Sequence, residues 1–156
     1  MNLEFRETDA RPPGIAEWEE LLIRLEIAPR ALRIAVEEAP DTPALRATLR
    51  ELLAAEVLRI AQIDAMTSGE SVPSVSDRPQ VDAGATAEHL AIEFNRLRAR
   101  LFARAQRRGI SVWEWEGGTE DGARISAYQL LVGAMKKDAA LLAAARDAAR
   151  AEAAGC

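Results

Sequence analysis

Three observations predict an all-α four-helix bundle for this chain of 156 residues. Four long segments carry apolar residues at helical spacing. The apolar content is high at 49%, but only 4% of residues are aromatic, so the core must be built from Leu, Ile, Val and Ala. Such a mixture suits helix on helix better than sheet on sheet. One long Ser/Pro/Gly-rich connection divides the four segments into two pairs, the mark of a bundle with a crossover.

The first helix is expected over 15–38, where Trp18, Leu21, Leu22, Leu25, Leu32 and Val36 share a face. Pro29 lies inside it and should kink the helix or break it in two, because proline supplies no N–H. The stretch APDTP ends it. Asp41 or Thr42 can cap the second helix with Pro43 in its first turn. That helix is carried to about Met66 by Leu45, Leu49, Leu52, Leu53, Ile60 and Ile63. TSGESVPSVSDRPQVDAGAT follows, a connection too long and irregular for a simple turn, and it is expected to cross the molecule or to carry function. The third helix is expected over 86–108, with Leu90, Phe94, Leu97 and Leu101 inward and Gly109 as its stop. GISVWEWEGGTEDGAR then reads as irregular and leads into a last helix from about Ile125. The whole chain, 1–156, reads as one domain. A bundle core spans 15–150, an N-terminal extension 1–14, and a fraying Ala-rich tail 151–156.

Composition narrows the function classes. A formal net charge of −5 argues against a general nucleic-acid binder. The one cysteine, Cys156, leaves no internal disulfide framework and no cysteine-rich zinc site. MNLEFRETDA has no apolar centre, so no secretory signal is expected. No run approaches the roughly 20 apolar residues of a membrane span. A cytoplasmic protein without membrane attachment is the expectation. The single histidine, His89, cannot build a His-rich metal site and sits near a helix start, where a surface position is expected. No phosphate loop, Ser-centred elbow or Cys–His pair is present.

Charged residues that project inward remain. Counting about 100° per residue places Glu56 in the middle of the second helix's apolar stripe, with Arg59 at its margin. Arg98 borders the stripe of Phe94 and Leu101. Lys137 and Asp138 flank the stripe of Leu130, Ala134, Leu141 and Ala145 on opposite sides. Glu56, Arg98, Lys137 and Asp138 are thus expected to converge inside the bundle. Two readings stand for Arg98 and Lys137, inward convergence or snorkelling outward along their stems. Two also stand for Glu56, a buried structural pair or a functional carboxylate, since a buried charge requires a partner. Trp113 and Trp115 either close the core or line the mouth of a pocket. Arg96, Arg100 and Arg107 share a face of the third helix, read either as a solvated surface or as a contact for an acidic partner.

Several stretches resemble the DinB-like, or YfiT-like, superfamily of metal-dependent four-helix proteins. They are LEIAPRALR, LRELLAAEVLRIAQIDAMTSGE, EFNRLRARL and DGARISAYQLLVGAMKKDAALLAAAR, with Gly122 and Ile125-Ser126 like the lead into that family's last helix. The resemblance covers roughly residues 17–146. It implies a homodimer and a divalent metal held by three histidines, one from the second helix and two from the last; some relatives are thiol-dependent transferases. This chain departs where the ligands would stand. The paired positions in the last helix are Lys137 and Leu141, followed by a retained acid at Asp138, and the second-helix position falls on Glu51 or Leu52. Lys137 is therefore expected to replace a lost metal ligand, with Glu56 or Asp138 as counter-charge. The reading is a protein without metal or other cofactor, non-catalytic and homodimeric. It would bind a small ligand or partner in a pocket of Glu56, Arg98, Trp113, Trp115, Lys137, Asp138 and Leu141. The alternatives are a metal-independent or thiol-dependent transferase using Glu56, Lys137 and Asp138, and an interaction protein using the arginine face. Nucleic acid is not an expected partner.

Overall fold

A computed structural model describes residues 14–73, 84–108 and 115–154. They form four helices, α1 (Ile15–Glu38), α2 (Pro43–Ser68), α3 (Ala87–Arg108) and α4 (Ala127–Ala154), with a small hairpin of β1 (Glu116–Gly118) and β2 (Arg124–Ser126) before α4. The all-α bundle inferred from the spacing of apolar residues is the architecture found.

Local chemistry explains the helix ends. Thr42 Oγ1 accepts from the Leu45 amide at 3.2 Å and Pro43 occupies the first position of α2; an N-cap oxygen satisfies an amide that has no partner within the helix. Gly69 ends α2 with φ of 74°, the left-handed conformation that glycine adopts without strain. Thr86 caps α3 by accepting from the His89 amide at 3.2 Å, and His89 is exposed in the first turn. Ser126 and Gln129 bond reciprocally, each side chain to the other's amide at 3.1 Å. This capping box sets the start of α4.

Of the kink or break expected at Pro29, the break does not occur, since α1 runs through it to Glu38. The stretch before α4 is not wholly irregular. Residues 116–118 pair antiparallel with 124–126, Gly117 opposite Ile125, so Ile125 and Ser126 belong to a strand rather than to α4. Three-residue strands are too short to leave an alternating pattern that can be told from a loop. The Val72 amide donates to Gly118 O at 2.9 Å, tying the hairpin to the end of α2. Gly117 is needed at that contact, because a Cβ there would lie 2.2 Å from Val72 Cγ2. α4 also continues to Ala154, into the stretch read as a frayed tail. The proposed stop at Gly109 lies outside the described residues.

Helices α3 and α4 each pack along both α1 and α2, so α1 and α2 occupy opposite corners of the bundle. The buried apolar side chains divide into two clusters. One gathers Trp18, Leu21, Leu25, Ile63, Leu101 and Leu131. The other gathers Leu32, Leu49, Leu52, Leu90, Phe94 and Leu141. Along every helix the break between them falls at one level, and the charged residues lie there. Among the described residues, no helix is long and apolar enough to cross a membrane.

Candidate functional site

At that level the guanidinium of Arg98 occupies the centre of the bundle, 1% exposed. It reaches all four helices. Nε donates to Glu56 Oε1 at 2.8 Å and Nη2 to Glu56 Oε2 at 2.9 Å, across to α2. Nη1 and Nη2 donate to Asp138 Oδ2 and Oδ1 at 2.6 and 2.9 Å, across to α4. The remaining Nη1 hydrogen goes to the carbonyl of Leu25 in α1 at 3.3 Å. A guanidinium has five N–H donors, and every one is used. The Phe94 ring lies one turn back in α3, its centroid 4.9 Å from Arg98 Cζ, a cation–π distance.

The bond to Leu25 explains how Pro29 is tolerated. In an unbroken α-helix the amide of residue 29 would donate to the carbonyl of residue 25, and proline has no amide hydrogen to give. Leu25 is fully buried, so water does not readily replace the missing donor, and Arg98 supplies it from another helix.

Glu56, with 0% exposure, has a second partner in Arg59, whose Nη1 lies 3.3 Å from Oε2. Two arginines thus face two carboxylates and the layer is neutral overall, the condition for keeping charges in an apolar interior. Burial acts on each group differently. It would lower the Arg98 pKa, but hydrogen bonding and charge from Glu56, then Asp138, outweigh it and the pKa is raised. Arg59 is held below the usual arginine value by burial, despite Glu56. Burial pushes the Asp138 carboxyl up, against the opposing pull of Arg98.

Of the side chains expected to converge, Glu56, Arg98 and Asp138 do so and Lys137 does not. Lys137 lies on the other side of α4, about one-third exposed, with Nζ 3.3 Å from Glu51 Oε1 on α2. The expected counter-charge is therefore corrected. Glu56 and Asp138 belong to Arg98, and Lys137 belongs to Glu51. The wheel had placed Lys137 and Asp138 on opposite sides of the stripe, and one inward position between them excludes the other. Outward snorkelling is also corrected for Arg98 and describes Lys137 well. Glu51, Glu56 and Asp138 do not gather into a ligand set, and no cluster of three or more His, Cys, Asp or Glu side chains suited to a metal occurs among the described residues.

Leu141 is buried in the second core cluster. Trp115 packs partly buried against the first cluster and walls a groove of about 360 Å³ between α2 and α3, with Asp64, Arg100 and Arg104. It is remote from the groove that Asp138 borders. Trp113 lies outside the described residues, as does the side chain of Arg107. On the arginine face Arg96 pairs with Glu93; Arg104, outside the set read as that face, pairs with Asp64 at 2.6 Å.

A second groove, about 370 Å³, runs between α1 and α4. Ile27, Ala28, Ala31, Met135, Ala139 and Leu142 form its walls, Asp138 borders it, and Arg24 and Lys136 also line it. Sequence reasoning missed this groove. Among its lining residues Ile27 gave a partial signal: it falls on a face of the first helix away from the Leu21, Leu25 and Leu32 stripe and is 55% exposed. Comparison of the chain with family models, curated proteins and solved structures gave no match.

Proposed function

We propose that this bundle is a non-catalytic binding protein that takes a small, largely apolar ligand in the groove between α1 and α4. One observation carries the reading. The groove has apolar walls and a volume within the range of about 300–1,000 Å³ typical of ligand sites, and its one bordering carboxylate is already neutralised by Arg98. Isotope-labelled protein titrated with a fragment library should show ligand-induced shifts clustered at Ile27, Ala31, Met135 and Leu142. Shifts confined to Asp64, Arg104 and Trp115 would move the site to the other groove and overturn this reading.

The proposal includes kinship with the DinB-like bundles, without their metal. It rests on the resemblance of the sequence stretches quoted above, with which a four-helix bundle is compatible. Action in the cytoplasm is part of the same reading, in keeping with a single cysteine in the chain. An enzyme using Glu56, Lys137 and Asp138 has less support, because Glu56 is sealed from solvent and Lys137 is turned toward Glu51. Homodimerisation is favoured by Ile23 and Ile34, exposed on α1 and outside the groove lining, since exposed apolar residues on one face mark association surfaces. Sedimentation equilibrium should give a dimer that Ile23→Lys/Ile34→Lys converts to monomer; a wild-type monomer at high concentration refutes it.

A further inference from the structure

Resting on that groove reading, we infer that the ligand is an amphipathic monoanion, an alkyl or aryl carboxylate, lying along the groove with its charged end toward Lys136. The walls set the apolar part. Ile27 is 55% exposed, and Met135 offers a thioether that adapts to irregular ligands. The border at Asp138 sets what the ligand is not. A cationic end seeking this carboxylate would compete with a guanidinium that already holds both of its oxygens at 2.6 and 2.9 Å. The lining sets the sign of the charged end. Lys136 is exposed on α4 and makes no ion pair among the described residues. From α1, Arg24 reaches toward Met135, its Nη1 3.8 Å from the sulfur, while its Nε bonds Glu20. Both cations line the groove, whereas its one anion is bound from behind. The complementary molecule is apolar along most of its length and negative at one end.

Decanoate, decanol and decylamine share a chain and differ in head group, so titrating the full chain with each by calorimetry, at low salt and below micelle formation, separates the cases. Decanoate should bind about threefold more tightly than decanol, and Lys136→Glu should weaken decanoate about fivefold while leaving decanol unchanged, as expected for gaining or reversing a solvent-exposed ion pair. Ala139→Phe, at an exposed position on the groove wall, should block both ligands without altering the thermal melt. Equal affinity for decanoate and decanol, or preference for decylamine, overturns the anion assignment and leaves the groove reading standing. Failure of all three to bind, or binding indifferent to Ala139→Phe, overturns the groove reading itself.

Discussion

Removing the guanidinium of Arg98 tests the central layer most directly. Arg98→Met keeps an unbranched side chain of similar reach but leaves Glu56, Asp138 and the Leu25 carbonyl without their shared donor. Arg59 still faces Glu56 at 3.3 Å, so Asp138 becomes the unpaired charge. A stranded carboxylate can escape by taking up a proton, which caps the penalty. From an ordinary aspartate value of 3.8, neutralisation at pH 7 costs about 4.4 kcal/mol at about 1.36 kcal/mol per pH unit. At pH 5 the same step costs only about 1.6 kcal/mol. The orphaned carbonyl adds about 1–3 kcal/mol that does not depend on pH. The variant should therefore lose up to about 5–7 kcal/mol at pH 7, at or above the range for breaking a buried pair and a large part of a typical domain's total stability. The loss should shrink to about half by pH 5. Urea unfolding of both proteins at the two pH values measures the difference directly, and titrating groups common to both cancel. A loss below about 1 kcal/mol at pH 7, or one identical at pH 5 and 7, would refute a buried, charge-compensated Arg98.

Other outcomes follow from the same geometry. The Asp138 carboxyl should titrate above 3.8 in the folded chain, because burial outweighs the pull of Arg98. The folded state then binds more protons than the unfolded just above that pH, so this group's contribution to stability falls as pH rises from about 3.8; carbon-detected resonance of its side chain measures the midpoint, and one below 3.8 contradicts the assignment. Lys137→Met should change stability by no more than about 0.5 kcal/mol in urea unfolding, since its pair with Glu51 is partly exposed. Pro29→Ala should rescue about 1–2 kcal/mol more in the Arg98→Met background than in the native chain, because only there does Leu25 O lack a donor; equal effects in the two backgrounds would disprove the link. Gly117→Ala should lower stability by about 1–3 kcal/mol through collision with Val72, read from the midpoint of thermal unfolding.

The helices were legible because their signals are local. Thr42-Pro43 and Thr86 mark helix starts, and Leu and Ile recur every three or four residues. The central charges were legible in part for the same reason. Glu56 is flanked by Leu52, Leu53, Ile60 and Ile63, so no rotation of the helix takes it to solvent, and its burial was implied before any partner was known. The identity of the partner was not local. Arg98 and Lys137 each border an apolar stripe, and the choice between them depends on which helices share a corner. The wheel of one helix does not contain that arrangement. The hairpin was hidden by its brevity, and the α1/α4 groove by its being a gap between two helices.

Proline and arginine here form one device spanning two helices. Pro29 withdraws a donor from the Leu25 carbonyl, and that carbonyl becomes an acceptor facing the bundle centre. Arg98 has one hydrogen left after satisfying both carboxylates, and it points there. Each half would be costly alone, as an orphaned carbonyl or an under-used buried cation, and together they leave neither. The arrangement also fixes register, because sliding any helix by a residue would separate at least one of the five bonds. Lysine could not replace Arg98, since an ammonium has three donors and no planar fork to hold two carboxylates bidentately. The charged layer between the two apolar clusters thus selects one alignment of four helices, and the groove beside Asp138 inherits its shape from that alignment.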